Sequence, residues 1–236
     1  MGPGTPLEDF AERGYVVVRE AFPRAVAEAC VALARQQLRI PAEPPWPAPV
    51  VRGPVAGEAI ATAARSSRLV ETIRAVVGRD DWVAPPTLGN LVVRFPSSAP
   101  HDDPGDTGWH VDAAFPGPEP GAATDYLRWR VNHRCRGRAL TLLCLLSDTG
   151  PDDAPTRLLD GSHRDLAERL EPYGDEGTTV FDAPYPDSEG YAITLATGGA
   201  GDVYICHPLL VHAATWPHHG TSPRFLAQPG VTVAGP

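Results

Sequence analysis

The sequence predicts an α+β fold, mainly β: a double-stranded β-helix, or jelly roll, with N-terminal helices packed outside it. Three observations lead there. Helix signals are concentrated in the first eighty or so residues. From Trp82 onward the apolar period shortens to two, and short strand-like runs follow one another. Gly, Pro and Asp separate those runs. Helices first and strands afterwards give a segregated layout, and the strand half has the size of a jelly roll. The 236 residues read as a single domain, 1–236, with a helical N-terminal part over 1–80 and the jelly-roll core over 81–236.

The elements justify themselves in order. Thr5 to Arg13 reads as a short helix: Thr5 can cap it, Pro6 suits the first turn, and Gly14 suits the C′ position. Tyr15 to Arg19 reads as a strand. Pro23 opens a second helix, with Val26, Ala29, Cys30, Leu33, Ala34 and Gln37 in register as far as Leu38. Pro41 to Pro54 carries too many prolines for regular structure and reads as a polyproline-like connector anchored by Trp46. Ser66 and Ser67 cap a helix from Arg68 to Val77, closed by Gly78. Nine strand-like runs follow: Leu91–Phe95, Trp109–Ala113, Tyr126–Val131, Ala139–Ser147, Thr156–Leu159, Tyr191–Thr197, Asp202–Cys206, Leu209–Ala214 and Arg224–Val233.

Composition narrows the function. A net charge of −9 argues against nucleic acid or an anionic membrane as partner. All twenty basic residues are Arg, which excludes Schiff-base chemistry and the lysine of a phosphate-binding loop. The four cysteines, Cys30, Cys135, Cys144 and Cys206, are widely spaced and read as free buried thiols. No run reaches the length of a spanning helix, and the N-terminus has neither a basic nor an apolar leader segment, so a cytoplasmic location is expected.

Chemistry enters with the histidines. The pattern H-x-D occurs three times, at His101, His110 and His163, and context separates them. His101 lies in the polar loop H-D-D-P-G-D-T-G. His163 opens a predicted helix, where residues two apart point about 200° from one another and cannot share an ion. His110 and Asp112 lie in a predicted strand, where residues two apart face the same way. A distal partner could be His207, His212, His218 or His219. His212 is the one in mid-strand, with Arg224 on the next predicted strand. The combination His110, Asp112 and His212 is the donor set of 2-His-1-carboxylate Fe(II) sites, which leave open coordination positions. Arg224 offers a planar fork for a carboxylate.

In this light the chain resembles the phytanoyl-CoA dioxygenase-like family of Fe(II)/2-oxoglutarate oxygenases. The resemblance runs in order through F-A-E-R-G-Y-V-V-V-R-E-A-F, W-H-V-D, A-L-T-L-L-C-L-L-S-D, L-L-D-G-S-H-R, G-D-V-Y-I-C-H-P-L-L-V-H and Arg224. It implies that His110, Asp112 and His212 bind iron, that Arg224 binds the C5 carboxylate of 2-oxoglutarate, and that O2 is consumed. Asn90, Arg94 and Thr141 lie on strands that line the cavity in the family, and the resemblance makes Thr141 and Asn90 further cosubstrate contacts. The chain departs from the family's pattern at Asp160, where P-G-S-H is usual, and at Ala214, where some members carry Ser. Asp112 stands where a halogenase would need Gly or Ala, which favours hydroxylation, desaturation or ring closure. The substrate is expected to be a small molecule, in bacterial natural-product or amino-acid tailoring. A rim over the 102–107 and 115–124 loops and Trp216 is expected. The basic run Arg128, Arg130, Arg134, Arg136 and Arg138 could greet a phosphate or form a solvated strand face. Oligomeric state is not written in the sequence. Two rivals stand beside this reading: a cupin-like metal-dependent isomerase or epimerase, and a non-catalytic small-molecule-binding jelly roll.

Overall fold

The computed structural model describes residues 5–78, 82–83, 85–97, 103–136 and 138–233. His101 and Asp102 fall outside them.

Local signals set the first helix, α1 (Pro6–Arg13). Thr5 and Glu8 form a capping box, Pro6 occupies the first turn, and Gly14 ends the helix at φ 84°. A β-carbon at Gly14 would lie 2.5 Å from His163 Nδ1, so that position needs Gly for space as well as for its dihedral. Strand β1 (Tyr15–Val18) follows. Helix α2 (Arg24–Gln37) buries Ala27, Cys30 and Ala34, and α3 (Glu58–Ala64), too short to show a period, buries Ile60, Ala63 and Ala64. Helix α4 (Ser67–Val77) buries Leu69 and Ile73. Ser66 precedes it without capping it, because its hydroxyl donates to the Ala21 carbonyl.

The Pro-rich segment departs from expectation. Its last residues form β2 (Val50–Pro54), paired along the whole length of β4 (Asn90–Arg94). Pro is tolerated there because β2 ends its sheet. Trp46 does anchor the connector, stacked on Phe95 at 5.1 Å between ring centroids. The first eighty residues thus supply two strands to the main sheet along with four helices.

The remaining strands are β3 (Trp82–Val83), β5 (Phe115–Pro116), β6 (Trp129–Val131), β7 (Arg138–Leu145), β8 (Arg157–Leu159), β9 (Thr178–Thr179), β10 (Ile193–Leu195), β11 (Val203–Cys206), β12 (His212–Ala213), β13 (Arg224–Ala227) and β14 (Gly230–Val233). Helix α5 (Ser162–Leu170) lies between β8 and β9. The main sheet runs β1-β11-β7-β13-β4-β2, with β14 joining β7 to β3. A three-stranded sheet, β10-β8-β12, forms the second layer, and β5-β6-β9 makes a small third sheet. Every pairing is antiparallel. The fold is a jelly roll backed by helices.

Strand β7 shows why this sheet reads as continuous apolar sequence. Leu140, Leu142 and Cys144 pack with helix residues, whereas Leu143 and Leu145 pack with Leu158 and Leu210 of the second layer. A strand covered on both faces has no polar side to alternate with. Each such Leu contributes about 1.5–3 kcal/mol relative to exposure. The same alternation turns Arg224 inward on β13, beside Leu226, while Phe225 and Ala227 meet the helices.

Other expected runs are shorter than predicted. Arg224–Val233 is two strands, broken at Gln228-Pro229, because Pro cannot donate to the ladder. Tyr126–Arg128 is a 3-10 turn leading into β6. Trp109–Ala113 forms no strand; His110 alone bridges to His212. All four cysteines are buried and free. Among the described residues no helix is long and apolar enough to cross a membrane.

Candidate metal centre and anion pocket

His212 lies on β12, paired to Leu158 of β8. The His110 and His212 backbones exchange two hydrogen bonds, each 2.9 Å. That bridge joins residues about a hundred positions apart and sets their rings 4.5 Å apart between centroids. Asp112 follows two residues after His110, with Oδ2 3.5 Å from His212 Nε2. One donor atom from each of the three lies within 4.8 Å of the others. The convergence expected of a strand pair is therefore reached with a single bridge and a bend at Asp112.

Hydrogen bonding aims the imidazoles. His110 Nδ1 lies 2.9 Å from the Gly108 carbonyl, and His212 Nδ1 lies 2.9 Å from the Leu210 carbonyl. A carbonyl only accepts, so each Nδ1 carries the proton and each Nε2 keeps a free lone pair. His212 Nε2 is buried without a hydrogen-bond partner. Burial works against the Asp112 charge, yet His212 and His110 hold its carboxyl at about 2. Burial and His212 push the His110 pKa down, whereas Asp112 draws that of His212 upward against burial. Two neutral imidazole nitrogens and an ionised carboxylate fit a first-row divalent ion such as Fe(II).

A cavity of about 160 Å³ adjoins this cluster, walled by Arg52, Arg94, Asp106, His110, His212 and Arg224. Arg224 and Arg94 are directly opposed in the β13–β4 register, and both are essentially inaccessible to water. Arg94 Nη2 donates to Asp106 Oδ2 at 2.7 Å, and Arg52 pairs with the same oxygen. Nε and Nη1 of both Arg94 and Arg224 have no partner. Burial, then Arg94, lowers the Arg224 pKa to about 9. Three guanidiniums face one carboxylate, and an unpaired buried charge is costly. The pocket is built for an anion.

Of the residues singled out from sequence, His110, Asp112, His212 and Arg224 come together here. Thr141 and Asn90 do not line this cavity. Thr141 sits deeper in the sheet, opposite Cys206 and Gly230, with its hydroxyl buried and unpartnered. Asn90 lies at the exposed end of β4, opposite Pro54. His163 is turned into the fold against His207, their rings 5.0 Å apart, and Tyr191 donates to Asp165. His218 is buried on a bridge to Ser97, and His219 is exposed. Sequence reasoning missed Arg52, and it placed Asp106 only as part of the expected 102–107 rim, with no role of its own. Arg94 was legible in part, since it shares the strand parity of Val92. The run Arg128 to Arg138 is largely neutralised: Arg128 pairs with Asp125, Arg130 with Glu119 and Arg134 with Asp175, and Arg136 lies over Phe115.

Two imidazoles, a carboxylate and an adjoining anion pocket in a jelly roll form a candidate mononuclear metal centre. The chain belongs to the phytanoyl-CoA dioxygenase (PhyH) family, whose model matches residues 10–225. Comparison with curated protein sequences gives no match. Among solved structures, the chain is similar to the non-heme α-ketoglutarate-dependent epimerase SnoN from nogalamycin biosynthesis, in complex with Fe3+, α-ketoglutarate and nogalamycin RO (TM-score 0.63, 19% identity, covering 97% of this chain and 82% of that one). It is also similar to HygX from Streptomyces hygroscopicus with nickel and 2-oxoglutarate bound (0.61, 20%, 97% and 86%). The carbocyclase SnoK from nogalamycin biosynthesis matches comparably (0.63, 17%, 99% and 85%). At these identities the likeness is one of fold.

Proposed function

We propose that this protein is a non-haem Fe(II)/2-oxoglutarate-dependent oxygenase that hydroxylates a small molecule in natural-product tailoring. The observation that carries the reading is the shared wall: His110 and His212 border the same cavity as Arg224, whose Nε and Nη1 lack partners. Fe(II) would be held by His110 Nε2, His212 Nε2 and Asp112, and the distal carboxylate of 2-oxoglutarate by Arg224, with Arg94 adding positive charge. Together these groups supply oxidation of a C–H bond by O2, with 2-oxoglutarate leaving as succinate and CO2. The chain's own contribution is positional. The Gly108 and Leu210 carbonyls fix the ring tautomers, and Asp112 remains ionised at neutral pH.

Likeness to the epimerase SnoN favours a second reading, epimerisation on the same site. Product mass separates the two: gain of one oxygen marks hydroxylation, and unchanged mass marks epimerisation. The cofactor reading is tested first, by anaerobic titration with Fe(II) and then 2-oxoglutarate while recording the visible charge-transfer band of the chelate. The band is expected in the unaltered protein and absent in His212→Ala. Iron binding without a band would favour a cupin-like site, and no metal binding would defeat the proposal.

A further inference from the structure

A second, wider cavity of about 430 Å³ shares His110 and Asp106 with the anion pocket. Four of its other walls are aromatic, Trp109, Tyr126, Phe181 and Tyr185, beside Val180 and two glycines. Trp109 directly precedes the first metal-site histidine, Tyr126 comes from the 3-10 turn before β6, and Phe181 and Tyr185 follow β9. The Tyr126 ring meets Phe181 edge-on, 6.3 Å between centroids at 84°. Phe181 is 63% exposed and Tyr126 50%. Rings of this size are ordinarily packed away, so aromatic faces left in water beside a reaction centre mark a binding surface.

Charge defines what the surface takes. Among the described residues no Arg lines this cavity, and its carboxylate, Asp106, is committed to Arg52 and Arg94. Arg157 lies over Trp109 at 4.7 Å, with Nη2 donating to the Thr107 and Ala214 carbonyls. Arg128, Arg130 and Arg134 are already paired with carboxylates. Burial, then Tyr126, pushes Tyr185 up to about 12, which keeps its hydroxyl a neutral donor. A phosphate or carboxylate would find no lining guanidinium among the described residues, since Arg157 is held on the Trp109 ring and by the two carbonyls.

The geometry points to a substrate that is an uncharged small molecule bearing a flat aromatic ring, seated among Trp109, Tyr126, Phe181 and Tyr185 with an adjoining carbon turned toward His110. A polyanionic acyl-CoA thioester does not match this lining. This substrate class rests on the triad being the reaction centre, as proposed above.

The test is calorimetric titration of the anaerobic Fe(II)/2-oxoglutarate-loaded protein with three probes: 2-naphthyl β-D-glucopyranoside, methyl β-D-glucopyranoside and coenzyme A. Saturable binding of the naphthyl compound alone is expected. Phe181→Ala and Tyr126→Ala should each weaken it by about three- to tenfold, the worth of one aromatic contact. Both side chains are exposed, so the variants fold, and 2-oxoglutarate affinity in Phe181→Ala should be unchanged. Coenzyme A binding as tightly as the naphthyl compound would overturn the inference. So would equal binding of the methyl glucoside, no binding of the naphthyl compound, or variants without effect. The charge-transfer band is read on the same sample. A band without naphthyl binding defeats only the substrate class; naphthyl binding without a band defeats the cofactor reading.

Discussion

Replacing Arg224 with Met separates what this residue does to the fold from what it does for a ligand. The guanidinium is buried, two of its nitrogens lack partners, and it faces Arg94 across the β13–β4 register. Its pKa, lowered by burial and by Arg94 to about 9, corresponds to a cost on the order of 5 kcal/mol for keeping the charge there. Met fills similar apolar length without the charge. Exchanges of a buried charge for an apolar side chain stabilise by about 1–4 kcal/mol, and in a chain of this length 1 kcal/mol moves the melting midpoint by about 2–4 °C. The metal-free variant should therefore melt about 2–16 °C above the unaltered protein. The ligand side has the opposite sign. Saturation with 2-oxoglutarate at a hundred times its Kd adds about 2.7 kcal/mol to the unaltered protein. Losing charge-assisted hydrogen bonds worth about 1.5–3 kcal/mol each weakens binding by two orders of magnitude or more, which erases that gain at the same concentration. Scanning calorimetry of both proteins, under anaerobic Fe(II) with and without 2-oxoglutarate, reads both effects. A variant that melts lower and still responds to 2-oxoglutarate would refute the reasoning, since Arg224 would then be a structural residue.

His212→Ala should reduce Fe(II) affinity at least about 100-fold with the fold retained, measured by competition with a chromogenic chelator. Thr141→Val removes a buried hydroxyl that has no partner and should leave stability unchanged or raised by up to about 1 kcal/mol; because Thr141 does not line the anion pocket, 2-oxoglutarate affinity should not change, and a tenfold loss would restore it as a contact. Burial, then a neighbouring positive group, holds His163 and His207 at about 4, and burial does the same for His218. The unfolded chain takes up these protons near the ordinary value of about 6.5, so stability is fully present above that pH and is lost as pH falls toward 4, with up to three protons bound on unfolding; urea melts across this window check the slope. Gly14→Ala forces a φ of 84° on a residue with a β-carbon 2.5 Å from His163 Nδ1. It should cost about 1–3 kcal/mol, seen as a lower urea midpoint with an unchanged slope.

What could be read from sequence was whatever local chemistry fixes. Thr5, Pro6, Glu8 and Gly14 carry the first helix within ten residues, and His110 was separated from His163 by the geometry of strand against helix. What could not be read depends on distant partners. Val50–Pro54 becomes a strand because β4 offers an edge forty residues later, which its prolines conceal. Trp109–Ala113 looks like a strand but finds only one bridge. Asp106 acquires its place from Arg52 and Arg94, a three-way charge arrangement with no spacing to announce it.

The reciprocal backbone bridge between His110 and His212 also acts as a proofreading step. Side-chain period along a strand is two, so a slip of one residue in β12 would turn the His212 imidazole out of the site and bring in Val211 or Ala213. Both of those are fully buried, and Val211 belongs to the cluster with Leu159 and Leu166. The slip would therefore break apolar packing at the same moment that it scattered the metal donors. Hydrophobic burial certifies the register, and only a correctly folded chain displays all three ligands together. A chain in the slipped register would present no assembled donor set.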